Sequence, residues 1–366
     1  MATKKVQPTV KRKKRKKAQK NNKRIILFVV EMIVLVILLV VLYMVLKADK
    51  VNKVSIDKEN IVVNETVENN VTLKGYRNIA LFGVDARDKS LGKGNRTDTI
   101  MIASVNQETG EIKLLSVYRD TYLNLGNDSY NKCNAAYAKG GPEQAINMLN
   151  MNLDLNIEDY VTVGFTGLME TIDALGGVEI EILEEEIRHL NNYQISMVGT
   201  STDGKTFTAT EGKDYIAVTH AGRQVLNGLQ ATAYCRVLQV GDDFMRAQRQ
   251  RDVLSAIMEK AKEASPATLN KILDNVLPYV STSLDVEEMV GVLGEVSKYS
   301  IVAKDGFPFA QYRTTGNLGS KGSCVIPVDL KANVIEAHRF LFDTEEYEIS
   351  EEVKSYSQKV SADTGR

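Results

Sequence analysis

Acidic and guanidinium side chains gather at the ends of short apolar runs in this 366-residue chain. Asp85 follows RNIALFGV at 77–84. Arg96 and Asp98 immediately precede TIMIASV at 99–105, and Arg119 and Asp120 immediately follow EIKLLSV at 111–117. Polar groups at strand ends are where α/β sheets bind ligands. The last two runs are joined by NQETG, a hairpin-type connection, so the second strand leaves where the first entered. Asp98 and Arg119 then meet at one edge. Two carboxylates among arginines suit Mg²⁺ bridging phosphate oxygens, because that ion takes one or two carboxylates and leaves the rest of its shell to substrate and water.

A second cluster is Arg236 together with DDFMRAQRQR at 242–251. On a helix Arg246, Arg249 and Gln250 are spaced i, i+3, i+4 and share a face. Neighbouring guanidinium groups repel unless an anion joins them. That anion is either a bound phosphate or the chain's own Asp242, Asp243 and Asp252. Other chemistries find less support. The three histidines, His189, His220 and His338, lie in polar helical or loop sequence and suggest no Ser-His-Asp arrangement. The glycine-rich GKGN and KGG lack the Lys-Ser/Thr of a phosphate-binding loop. Cys133, Cys235 and Cys324 have no metal-type spacing and read as buried small hydrophobes, with a free thiol or one bridge left open.

The elements that must position these groups alternate. Beyond the three β-rich runs, helical patterns are expected at 134–150, 166–175, 184–192, 229–236, 243–264, 266–277, 285–299 and 328–342, with strands at 160–163 and 178–182. Such alternation predicts an α/β fold, an α-β-α sandwich around a mixed central sheet. The expected organisation is a basic segment at 1–24, an apolar span at 25–46, a polar stalk at 47–74, one domain at 75–343 and a frayed polar tail at 344–366.

The near-zero net charge hides an asymmetry. Residues 1–24 carry twelve Lys or Arg and no acid, while the remainder carries 34 basic against 47 acidic groups. Residues 25–46 are apolar except for Glu31 and long enough for one transmembrane helix. The basic flank on their N-terminal side places that end in the cytoplasm and the bulk of the chain outside the cell. The same flank is suited to anionic membrane lipids, and no nucleic-acid partner is expected.

The segments NIALFGVDARD, NRTDTIMIASVN, LLSVYRDTYL, KCNAAYAKGG, DALGGVEIEI, LNGLQATAYCR and DDFMRAQRQRDVL occur in this order. Together they resemble the LytR–CpsA–Psr family over about residues 76–260. The resemblance implies a membrane-anchored extracellular phosphotransferase that moves a glycopolymer (teichoic acid, capsule or a related polysaccharide) from a polyprenyl pyrophosphate carrier onto peptidoglycan. It implies Asp85 and Asp98 as Mg²⁺-pyrophosphate carboxylates, and Arg96, Arg119, Arg236, Arg246 and Gln250 as the pyrophosphate-binding set. Arg249 is a further candidate in the same motif, and Asp120 would orient Arg119. Asp98 and Asp120 are both conceivable general bases.

Three positions depart from the family pattern. Leu238 stands where a second Arg is common, Tyr118 where Pro is usual, and Gly164 where an acid or Asn is common. Apolar helical residues (Phe165, Leu168, Met169, Ile172, Leu175, Val253, Leu254, Ile257 and Met258) could line a tunnel for the carrier tail. A polyprenyl pyrophosphate hydrolase and a non-catalytic envelope regulator are the alternative readings.

Overall fold

The computed structural model describes residues 52–53, 56–86, 90–201, 203 and 206–366. The chain divides into two units, 1–49 and 50–366, and the fold below is that of the second. The expected basic segment and membrane span lie outside the described residues. Among those described, no helix is long and apolar enough to cross a membrane.

In chain order the elements are β1 (Asn52–Lys53), α1 (Glu65–Glu68), β2 (Tyr76–Val84), β3 (Thr97–Asn106), β4 (Glu111–Val117), β5 (Tyr122–Asn124), β6 (Tyr130–Lys132) and α2 (Asn134–Leu153). They continue with β7 (Asp159–Gly164), α3 (Phe165–Ala174), β8 (Val178–Ile182), α4 (Glu184–Val198), β9 (Gly222–Leu226), α5 (Gly228–Tyr234), α6 (Asp243–Lys262) and α7 (Pro266–Val276). The last are β10 (Val280–Thr282), α8 (Val286–Gly294), β11 (Ser300–Phe307), β12 (Arg313–Asn317), β13 (Ser323–Pro327), α9 (Leu330–Phe342) and α10 (Glu351–Thr364).

Seven strands form one mixed sheet in the order β1-β10-β7-β2-β3-β4-β11. β2, β3 and β4 are an antiparallel meander, with β7 parallel to β2 and β11 parallel to β4. Period-2 alternation sends Ala80, Phe82 and Val84 into the main core with α2, α9 and α10. Leu81 and Ala103 face the opposite layer, against Leu254 and Met258 of α6. Helices therefore cover both sheet faces, as the alternating pattern predicts. The β3–β4 turn closes at Gly110, whose φ of 75° is easily adopted without a Cβ, and a Cβ there would collide with the Lys298 carbonyl.

Three expectations are corrected. The segment expected to be a free stalk packs on the domain from residue 56, burying Val67 and Leu73. The helix expected at 285–299 ends at Gly294 and gives way to a 3₁₀ turn and then β11. The expected frayed tail instead forms α10, which docks on the core. Ser350 caps α10 by accepting from the Val353 amide at 3.1 Å, while its hydroxyl donates to Asp154 at 2.7 Å. Asp154 also accepts from the Asn64 side chain at 2.5 Å, so one buried carboxylate ties both ends of the domain together.

Against this junction sits His338, fully buried and stacked on Tyr347 with ring centroids 3.5 Å apart. Burial pushes its pKa down to about 4, against a small opposing effect from its hydrogen bond to the Leu153 carbonyl. The unfolded chain takes up this proton near pH 6.5, and the folded chain does so only near 4. Stability should therefore fall as pH drops through that window, by about 3 kcal/mol. Urea midpoints at pH 7 and 4.5 should show the drop, and His338→Gln should flatten it. An unchanged slope in that variant would assign the acid sensitivity elsewhere.

Candidate active site

The ladder between β3 and β4 pairs Met101 with Ser116. Continued three residues toward the strand ends, the same register sets Asp98 opposite Arg119. Arg119 Nη1 donates to Asp98 Oδ1 at 2.6 Å. Its Nε lies 3.5 Å from Asp243 and 4.0 Å from Asp120. Asp120 turns away toward Lys132, 3.4 Å distant. Desolvation alone would weaken the proton affinity of Arg119, but Asp98 and Asp243 reverse this and raise its pKa.

Asp243 opens α6, whose N-terminus is capped by Asp242 accepting from the Phe244 and Met245 amides. It also bonds Arg246 one turn later. Burial raises the Asp243 pKa in spite of the two cations beside it, and burial lowers that of Arg246. Asp243 thus holds Arg119 and Arg246 together. In the sequence it is legible only as an acid able to neutralise its own helix.

A cavity of about 480 Å³ opens between the sheet, α3, α5 and α6. Asp98, Arg119, Arg236, Arg246 and Gln250 line it. Arg236 Nη2 lies 3.6 Å from Asp85. Its guanidinium stacks over the rings of Phe165 and Tyr193, 4.6 and 5.3 Å from their centroids. One of its nitrogens, Nη1, is buried without a hydrogen-bond partner, as is Arg119 Nε. A buried donor without an acceptor is costly, and the cost at Arg119 Nε is offset by its ion pair with Asp243.

Most of the remaining lining is apolar, with Thr99, Thr171, Thr232 and Tyr193 among it. Phe165, Leu168, Val253, Leu254 and Ile257 contribute from helices, and Leu81, Met101, Val161 and Val163 from the sheet. Of the expected tunnel residues, Met169, Ile172, Leu175 and Met258 do not line it. Ile172 and Leu175 are core, and Met258 packs toward β3 and β4.

Two predicted arginines are not brought to the cavity. Arg249 is 1% exposed and donates to Glu186 at 2.7 Å and to the carbonyls of Val237 and Val240 at 2.9 and 2.7 Å. Its guanidinium is thereby committed to fixing the 237–242 loop on α4. Arg96 is exposed just before β3.

The departures from the motif pattern also find places. Leu238 lines the cavity where an arginine was anticipated. Gly164 has no space for a larger side chain, since a Cβ would lie 2.9 Å from the Ala86 carbonyl oxygen. Tyr118 packs edge-on against Phe244 and accepts from Arg313 at 2.9 Å. Cys133, Cys235 and Cys324 are free thiols.

The model of the LytR_cpsA_psr family matches residues 38–334. Two curated relatives are polyisoprenyl-teichoic acid–peptidoglycan teichoic acid transferases. TagU of Oceanobacillus iheyensis is 32% identical over 59% of this chain and 61% of its own length. TagT of Bacillus subtilis is 28% identical over 58% and 62%. The chain thus spans about three fifths of the length of these relatives. A solved structure titled as the LytR-CPS2A-psr family protein YwtF (TagT) with bound octaprenyl pyrophosphate lipid aligns with a TM-score of 0.54 at 20% identity. It covers 79% of this chain and 99% of that one, a likeness of fold.

Proposed function

The chain belongs to the LytR–CpsA–Psr family, and from that premise we propose that it is a membrane-anchored phosphotransferase acting outside the cell. It moves a teichoic acid or related glycopolymer from a polyprenyl pyrophosphate carrier to peptidoglycan. The observation that carries this reading is the two-sided cavity, with Arg119, Arg236 and Arg246 at one end and a largely apolar lining at the other. A doubly phosphorylated headgroup on an isoprenoid tail has that same polarity. The names of the relatives and the lipid in the TagT structure support the assignment.

In this mechanism Arg119, Arg246 and Arg236 bind the pyrophosphate, and Gln250 adds an amide beside them. The hydroxyl oxygen of the acceptor sugar attacks the phosphorus attached to the polymer's first sugar. A new P–O bond forms as the bond to the bridging oxygen breaks, and polyprenyl phosphate leaves with the electron pair. The hydroxyl proton passes to a carboxylate or to solvent. Charge building on the leaving phosphate is met by guanidinium groups that are already desolvated and fixed, so little reorganisation is needed. Asp243 orients Arg119 from behind.

Asp85 and Asp98 would hold a Mg²⁺ ion shared with the phosphates. Each uses one oxygen in the ion pair described, leaving the other as a hard donor. Among the described residues no group of three or more His, Cys, Asp or Glu could hold a metal. When bound, the Mg²⁺ ion would neutralise phosphate charge as a Lewis acid.

The test is product analysis with the full-length chain, lipid-linked polymer and glycan strands. A phosphodiester-linked polymer–glycan product is expected. Release of free polymer phosphate at the same rate with and without glycan would instead identify a hydrolase.

A further inference from the structure

A second groove, of about 620 Å³, lies outside the cavity just described. Its walls come from β5, the loop before β6, the tip of the β12–β13 hairpin and the last turn of α10. The helix α10 lies beyond the residues matched by the family model. Resting on the function proposed above, we infer that this groove seats the acceptor: a strand of N-acylated amino sugars bearing carboxylate-containing peptides.

Its chemistry is amphoteric, like that ligand. Lys321 and Lys359 place their ammonium groups 5.6 and 5.5 Å from the ring centroids of Tyr122 and Tyr130. Lys321 makes no ion pair within 4 Å among the described residues, and beside the Lys359 hydrogen bond its charge helps hold the Asp363 carboxyl below its ordinary pKa. Asp363 accepts from the Tyr122 hydroxyl at 3.0 Å and from Lys359. Asp128 and Asn317 add acceptor and amide groups for sugar hydroxyls and N-acyl groups. Asn127 and Asp128 both adopt left-handed backbone, φ 51° and 52°, a conformation these residue types tolerate best after glycine.

The groove and the reaction centre are neighbours along the chain. Lys132 bonds Asp120, the neighbour of Arg119, and is the register partner of Tyr122 on β5. A chain lying in the groove would place its next sugar on the side of Arg119.

The experiment uses the full-length chain in detergent micelles and purified sacculi stripped of wall polymer. Lys321→Glu and the groove-filling Asn317→Trp should each reduce co-sedimentation about tenfold. Lys321→Arg, which keeps the charge, should sediment as the parent does. Octaprenyl pyrophosphate binding should be unaltered in all three, which also certifies their folding. Unchanged sedimentation in Lys321→Glu and Asn317→Trp overturns the groove, as does weakened capture of soluble teichoic acid with sacculus binding intact. Arg119→Ala separates the two readings. If it stops transfer while the groove variants act normally, the groove alone is wrong, and if it transfers normally, the function itself falls.

Discussion

Replacing Arg119 with alanine is expected to stop polymer transfer while leaving the domain folded. Arg119 lies within 4 Å of Asp98, Asp120 and Asp243 together, and it lines the cavity beside Arg246. Its loss removes a fixed cation at the position where phosphate charge develops, an effect worth about 10²–10³ in rate. It also leaves Asp98 without its cation, while Asp120 keeps Lys132 and Asp243 keeps Arg246, so the loss should exceed that of one donor. Arg119→Lys should rescue poorly, because an ammonium cannot span two phosphate oxygens as a planar fork does. Transfer rates with a lipid-linked polymer would measure this, together with circular dichroism to verify the fold. Parent-like turnover in Arg119→Ala would remove the basis of the proposed reaction.

Arg249→Ala should have the other large effect, and on a different quantity. The Arg249–Glu186 pair is almost fully buried, each side chain being 2% exposed. Glu186 also accepts from the Leu183 amide at 2.9 Å, closing the start of α4. Deleting the guanidinium strands a buried carboxylate and two carbonyls, a loss of about 3–5 kcal/mol. Replacing both partners with apolar residues, Arg249→Met with Glu186→Leu, should recover much of it. Urea unfolding of the single and double variants tests this. A stable Arg249→Ala chain that no longer binds octaprenyl pyrophosphate would return Arg249 to the site.

The contrast between Arg246 and Arg249 shows what the sequence could and could not reveal. Positions i, i+3 and i+4 share a broad face, yet the cavity follows a narrower stripe of Arg246, Gln250, Val253, Leu254 and Ile257. That stripe advances by four, three, one and three residues, and Arg249 falls on its far side, toward Glu186. Only the docking of α4 decides which arginine is spent on structure. The meeting of Asp98 and Arg119 was legible because a hairpin fixes register locally. The sheet residues lining the cavity were not, since strands covered on both faces are apolar throughout and carry no mark of side.

Similarly, α10 looked like a frayed end because its composition is polar. Its docking rests on Asp154, nearly two hundred residues away in the chain. The strands β10, β12 and β13, of three to five residues, were too short to show a period.

The division of the cavity into a guanidinium end and an aliphatic end gives ionic strength a selective grip on substrate choice. Added salt screens the attraction for phosphate but leaves burial of hydrocarbon intact or strengthens it. In dilute buffer the chain should therefore sort carriers by how many phosphates they bear, and in concentrated salt by how many isoprene units.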